Sequence, residues 1–392
     1  MITYTQALSL LDLHIKDYNF IEKVSITECL DRILAQDISA MDDNPSFATA
    51  SMDGYAISFS SLDKAFKIVG EIAAGEFKDL SVSENTCIKT MTGALMPKNS
   101  DTLVPVEFVE REGDEIRIKE KLRKGFAVRK VAECYKKGEI LLKKGTKLGF
   151  AEIALLAELG YFHITVFKKP VISILSTGSE LKDLGESLQN PAQLRSSNHI
   201  ALANIAKKLY SKPVLYPLLK DDKDEIAFHL ESALQSSDIV VSTGGVSMGD
   251  FDFLKDIVKD YELIFDKVCI KPGKHVKIAS FENKFILALP GFAYSAICTF
   301  TLFARHIIYT WLLQEKNYHL KAYFQGSHTK EHDLLEFLTC NLVFKDAKIY
   351  ANLEGKKQGS SAIISNLSKA ALLMNDKKEI KENDLVDILL LP

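Results

Sequence analysis

The chain has 392 residues, a length that at roughly 150 residues per domain accommodates two or three domains. Hydrophobic residues make up 47% and charged residues 26%, ordinary globular usage that supplies a normal core and excludes whole-chain disorder. Lys and Arg total 49 against 52 Asp and Glu, a formal net charge of -3, so neither a general nucleic-acid binder nor a membrane-surface binder is expected.

The N-terminal stretch MITYTQALSLLDLHIKDYNF has no basic leader before an unbroken apolar run, so no signal peptide is expected. Residues 1–41 read as helical. Ala7, Leu8, Leu11 and Ile15 share one face, and a second helix is expected over 27–35 with Thr27 as its cap. From 44 to about 131, short β-prone runs such as FKIVGEIAAG, TLVPVEFVE and DEIRIKE alternate with Gly, Pro, Asn and Asp, predicting a small β domain. A helix is expected over 149–159, ended by Gly160. The first helices and this later one can form one domain with the β domain inserted between them.

Between 169 and 312, three continuous apolar runs, VISILS (171–176), DIVVS (238–242) and FILAL (285–289), predict buried strands. Each ends in glycine and leads to a helix, placed over 199–209, over 253–259 and from about Tyr294. That alternation describes a parallel α/β sheet. The apolar stretch over 296–313 is interrupted by Arg305 and His306, as expected of a buried helix and not a membrane span. From about 315 to 392, alternating runs such as KAYFQG, LTCNLVF and VDILLL predict a second small β domain. The six cysteines are scattered without a C-x-x-C pair, which makes a reducing cytoplasm the expected setting and argues against zinc ribbons and disulfide scaffolds.

Ligands of open α/β sheets bind beyond the carboxyl ends of the strands. Here those ends carry Ser176-Thr177-Gly178, Ser242-Thr243-Gly244-Gly245 and Pro290-Gly291. Glycine admits close approach of backbone N–H groups to an anion and the hydroxyls add donors, so three such loops at one edge point to a phosphate-bearing ligand. Glu180 follows the first loop and Asp250 and Asp252 the second. Lys271 and Lys274 flank a Pro-Gly turn in CIKPGKH that would present both ammonium groups. A carboxylate beside phosphates calls for a cation or a catalytic role, so Glu180 is a metal-ligand or acid/base candidate, or else a helix N-terminal acid. Asp53, in SMDGYA, is on spacing alone part of a turn signal. The histidines have no metal-ligand spacing.

Taken together and in order, SMDGYA (51–56), GEIAAG (70–75), Thr92-Gly93-Ala94 with Pro97 and Asp101, STGSEL (176–181), STGGVSMG (242–249) with Asp252, IKPGK (270–274) and Leu289-Pro290-Gly291 with Ser295 resemble the MoeA-type molybdopterin molybdenumtransferases, related to the C-terminal domain of gephyrin. The resemblance spans nearly the whole chain. It implies a multidomain α/β protein: an elongated helical domain (1–41 with 140–168), an inserted β domain (42–139), a molybdopterin-binding α/β domain with a parallel sheet (169–312) and a C-terminal β domain (313–392). It also implies a homodimer in which the inserted domain of one subunit helps cover the α/β site of the other. The implied chemistry is insertion of molybdate into adenylylated molybdopterin, with Mg2+ assisting, AMP released and a molybdopterin adenylyltransferase as candidate supplier. On that basis Asp53 and Glu180 are the catalytic candidates, Glu180 also the metal ligand. Thr177, Gly178, Ser242, Thr243, Gly244, Gly245, Ser247, Asp252, Pro290 and Gly291 would hold the pterin phosphate and adenylate, and Lys271, Lys274 and Ser295 would contact the oxyanion.

Five sites depart from the family pattern, the mildest being Asn99 at a usual glycine position, since Asn tolerates left-handed conformations; the other four are segments. Ala132-Glu133-Cys134 stands where Gly-Glu-Asp is usual, Ser196-Ser197-Asn198 where Asp-Ser-Asn or Asp-Thr-Asn is usual, Pro290-Gly291-Phe292-Ala293 where Pro-Gly-Asn-Pro is usual, and Ala370-Ala371-Leu372 where Ala-Asn-Gly is usual. Two acids are thereby lost. A divergent paralogue that binds molybdopterin or a related nucleotide without efficient metal insertion is the alternative, and tungstate-linked chemistry is a third.

Overall fold

The computed structural model describes residues 1–61, 65–244, 262–357 and 363–392. Two compact units divide the chain: one of residues 1–35, 145–153 and 163–392, the other of residues 36–144 and 154–162.

The larger unit begins with the helix Tyr4–His14, opened by a capping box. The Gln6 amide donates to the Thr3 hydroxyl at 3.2 Å and the Thr3 amide to the Gln6 side chain at 2.9 Å, an arrangement worth about 1 kcal/mol. Ala7 and Leu11 are buried along the expected face. The second predicted helix does not form. Residues Ile26–Glu28 make one 3-10 turn capped by Ser25, whose hydroxyl accepts from the Thr27 amide, so Thr27 is not the cap. Asp31 then takes φ +60. Ile33 and Leu34 instead bridge to Lys147 and Val166, beside the antiparallel pair Ile21–Ser25 and His163–Phe167. Tertiary pairing of two buried side chains here overrides local helix propensity.

A six-stranded sheet carries the order Lys212–Leu219, Val171–Thr177, Ile239–Thr243, Lys284–Leu289, Lys277–Phe281, Glu262–Phe265. The three apolar runs are adjacent, central and parallel as expected. The sheet as a whole is mixed, because Lys277–Phe281 turns back on Lys284–Leu289 and Glu262–Phe265 runs antiparallel to it. Lys212–Leu219 tolerates Pro213 and Pro217 because it is an edge strand. The helices Asn198–Lys208, Lys223–Ser236 and Ala293–Trp311 accompany the sheet, and the helix expected over 253–259 lies outside the described residues. Ala293–Trp311 is buried along nearly its whole length. Arg305 is accommodated there by a hydrogen bond from its guanidinium to the Leu390 carbonyl (2.6 Å) and by stacking 3.5 Å over the Tyr318 ring. Among the described residues no helix is long and apolar enough to cross a membrane.

The C-terminal strands His319–Gln325, Leu335–Lys345, Lys348–Asn352, Ala371–Asn375 and Leu385–Leu390 close on themselves around Phe324, Leu338, Leu373 and Ile388. The two-residue strand Ile270–Lys271 pairs in parallel with the start of Leu335–Lys345, which sets Lys271 opposite Glu336.

In the smaller unit a six-stranded sheet has the order Thr102–Pro105, Gly54–Ile57, Thr86–Thr90, Phe66–Ile72, Glu115–Ile118, Val109–Glu112. A side chain at Gly54 would place its Cβ 2.3 Å from the Val104 carbonyl oxygen, so the glycine after Asp53 is required by strand pairing. The helix Phe150–Glu158 ends before Gly160, at φ +79, as read from the sequence.

Candidate active site

Three parallel strands end at one edge of the larger unit, and their terminal backbones pack to the limit. A Cβ on Gly244, at φ +82, would lie 2.2 Å from the Thr177 carbonyl oxygen, and one on Gly291 would lie 3.4 Å from the Gly244 Cα. Gly244 therefore admits no side chain, and the Thr177, Gly244 and Gly291 turns form one surface. The hydroxyls of Ser176 and Thr243 bond across it at 2.9 Å. Thr177 is only 4% exposed, yet among the described residues its hydroxyl oxygen has no hydrogen-bond partner. A buried orphan hydroxyl is costly unless a ligand completes it.

These turns floor a cavity of about 830 Å³ lined by Thr177, Glu180, Arg195, Asn198, Gly244 and Gly291, with Leu181, Leu194 and Ile364 adding apolar wall. Gly178 lies beside Glu180, whose carboxylate oxygens are 2.8 and 2.9 Å from where a Cβ on Gly178 would sit. Glu180 itself is exposed. The Asn198 side-chain amide donates to the Gly291 carbonyl at 2.7 Å and fixes that turn. Where the family pattern has an acid, Ser196 is buried and bonded to His199 Nδ1 at 2.7 Å. Burial pushes the His199 imidazole below its ordinary pKa, with the Asp183 carboxylate at 3.8 Å acting in the opposite sense.

A second cavity of about 320 Å³ shares His275, Pro290 and Phe292 with the first, and brings Lys271, Lys274 and Ser295 together with Glu336, Lys357 and Asn366. Both lysines are exposed, on either side of the Pro-Gly turn expected to present them. Gly273, at φ +97, could carry no Cβ, which would meet the Thr299 methyl at 2.1 Å. Glu336 is 5% exposed and accepts from His328 Nε2 at 2.8 Å, with His332 at 3.5 Å and Lys271 Nζ at 3.8 Å. Burial alone would raise its pKa, but the His328 bond and the neighbouring cations outweigh it and hold the carboxyl below its ordinary value.

Asp53 belongs to the smaller unit. Its Oδ1 accepts from both the amide and the hydroxyl of Thr92, each at 2.7 Å, and those bonds keep the exposed carboxylate below its ordinary pKa. Cys134, also there and exposed, receives a hydrogen bond from Arg129 at 2.9 Å. Ser242 is the half-buried penultimate residue of its strand. Gly245, Ser247, Asp250 and Asp252 lie outside the described residues. Among the described residues no three His, Cys, Asp or Glu side chains form a metal cluster. Glu336, His328, His332, Lys357 and Asn366 escaped sequence reasoning, because only the pairing of Ile270–Lys271 with the distant strand brings their neighbourhood to the lysines.

Two family models match: the MoeA N-terminal region (domain I and II) over residues 2–160, and the probable molybdopterin binding domain over 173–310. The molybdopterin molybdenumtransferase of Staphylococcus aureus (strain COL) is 30% identical over 379 residues, covering 94% of this chain and 90% of the relative. The chain belongs to the molybdopterin molybdenumtransferase family. The enzyme of the same name from Bacillus subtilis (strain 168) is 29% identical over 89% of this chain and 84% of its own. Among solved structures, a molybdopterin biosynthesis MoeA protein from Pyrococcus horikoshii OT3 superimposes with a TM-score of 0.84 at 30% identity, each chain covered in full. Membership in the family assigns the chain to molybdenum cofactor biosynthesis as a transferase that inserts molybdenum, with molybdopterin and molybdate as substrates.

Proposed function

We propose that the chain inserts molybdate into adenylylated molybdopterin and releases AMP. The observation that carries the proposal is the strand-end surface: a buried Thr177 hydroxyl without a partner among the described residues, beside glycine turns whose backbones pack closely, lining a cavity that shares His275, Pro290 and Phe292 with a lysine-lined one. In this account Thr177, Gly178, Thr243, Gly244 and Gly291, joined by Ser242, Gly245, Ser247 and Asp252, hold the diphosphate link and adenylate. Lys271 and Lys274 neutralise the molybdate oxyanion, and Ser295 donates a hydrogen bond to it. Glu336 keeps Lys271 at the cavity through their ion pair.

Glu180 suits a hard divalent cation, since Mg2+ is commonly held by one or two carboxylates together with substrate phosphates and water. When bound, Mg2+ would offset charge on the diphosphate. Cleavage breaks one P–O bond of the link as water forms a new P–O bond at that phosphorus, its protons passing to the phosphate products or solvent, and AMP departs. Asp53 positions that nucleophile in our account, from the partner subunit of a homodimer. The four-domain division at 1–41 with 140–168, 42–139, 169–312 and 313–392, a cytoplasmic setting and supply by an adenylyltransferase complete the proposal. The test is AMP release by the purified protein given adenylylated molybdopterin and molybdate, with and without Mg2+. Stoichiometric, Mg2+-dependent AMP supports the mechanism. Intact adenylylated substrate after prolonged incubation refutes it.

A further inference from the structure

Phe292 is 63% exposed and lines both cavities, one of three residues they share. Other phenylalanines are as exposed, among them Phe150 and Phe344, but neither lines a cavity of the site, and scattered exposed apolar residues are ordinary. Phe292 is also the N-cap of the Ala293–Trp311 helix, where it makes no side-chain capping bond. Residues with a side-chain acceptor are strongly favoured at that position, because the first turn of a helix has unpaired amides. The residue therefore carries two local penalties, a lost cap and a solvated aromatic ring. The asparagine usual in the family pattern would remove both.

The placement of the ring offers the compensation. Phe292 directly follows Gly291, whose backbone packs against Gly244 and whose carbonyl is held by Asn198. The ring thus stands one residue from the proposed phosphate-binding turns, on a backbone fixed at that edge. Leu181, Leu194 and Ile364 supply further apolar lining of the larger cavity. A pocket lined by both apolar side chains and hydrogen-bond donors suits a flat heteroaromatic ring tethered to a phosphate.

We propose that Phe292 is a specificity-determining residue that stacks on the heteroaromatic ring of the substrate, the pterin or the adenine, while the strand-end turns hold its phosphate. The assignment rests on the function proposed above, and the test separates the two. Wild type, Phe292→Ala, Phe292→Asn and Phe292→Tyr are titrated calorimetrically with AMP, with a hydroxymethylpterin phosphate and with ribose phosphate, which lacks a base. Phe292→Ala and Phe292→Asn weaken one ring-bearing ligand by roughly tenfold or more, Phe292→Tyr stays within about twofold of wild type, and ribose phosphate binding is unchanged. The ligand that weakens identifies the stacked ring. Thermal unfolding of Phe292→Asn, which regains a cap, occurs no lower than wild type, so the lost affinity is not lost folding. Equal affinities of all four proteins for both ring-bearing ligands would overturn the stacking role while leaving the phosphate site standing. Failure of wild type to bind any of the three ligands would overturn the proposed function and the stacking role together.

Discussion

Replacing Gly244 with alanine tests the packing of the three strand ends. Two costs add. At φ +82 the left-handed conformation costs a non-glycine residue about 1–2 kcal/mol. The new Cβ would also stand 2.2 Å from the Thr177 carbonyl oxygen, where ordinary contact begins at 3.4 Å, so one turn must move by about an ångström. Overpacking of that kind costs about 1–3 kcal/mol. The total, about 2–5 kcal/mol, is a large share of a domain stability of about 5–15 kcal/mol. Gly185 in the same unit separates the two costs, since it has φ +83 and, among the described residues, nothing within 4 Å of an added Cβ. Denaturant unfolding of both variants should show Gly244→Ala about 1–3 kcal/mol worse than Gly185→Ala. AMP titration should show at least about tenfold weaker binding for Gly244→Ala alone, because the displaced turn is part of the phosphate surface. Equal destabilisation of the two variants with unchanged AMP affinity would refute the reasoning.

Glu336→Gln should destabilise the protein by about 1–3 kcal/mol near neutral pH, measured by denaturant unfolding, because the charge-assisted bond from His328 is lost. The folded carboxyl sits below its ordinary value of 4.5, so its stabilisation is fully present above that pH and fades as pH falls through the folded value. The gap between wild type and variant should accordingly narrow in unfolding measurements taken at acid pH. Asp53→Asn and Glu180→Gln should each slow AMP release by about a hundredfold with little change in thermal unfolding. In a mixture that has exchanged subunits, activity should return towards one quarter of wild type, given about half the dimers mixed and one intact site in each. No recovery after confirmed exchange would contradict a shared site.

The sequence made the sheet edge legible because VISILS, DIVVS and FILAL are unbroken apolar runs, and a strand covered on both faces needs little else. The helix before Gly160 was equally plain, from its periodicity and its stop residue. Residues 27–35 misled because Ile33, Leu34 and Ala35 suit a helix, while their burial comes from bridges to Lys147 and Val166, more than a hundred residues away. The antiparallel strands Glu262–Phe265 and Lys277–Phe281 went unread because they lie among charged residues with no glycine-ended pattern. At the site, single motifs revealed the glycine turns and Lys271 with Lys274. Glu336 and its histidines carry no local signal, since a Glu among charged residues acquires meaning only once its strand is registered against Lys271. Phe292 was visible as a departure from a pattern, but its exposure on the lining shared by two cavities is a property of the fold.

Metal insertion at the two neighbouring cavities can be followed directly. Purified protein should be incubated with adenylylated molybdopterin, Mg2+ and molybdate, and the pterin then extracted and its molybdenum content measured by mass spectrometry. One molybdenum per AMP released is predicted from wild type, and very little from Lys271→Ala with Lys274→Ala, which retain the strand-end surface but lose the oxyanion contacts. Release of AMP by wild type with the pterin remaining free of molybdenum would contradict the account.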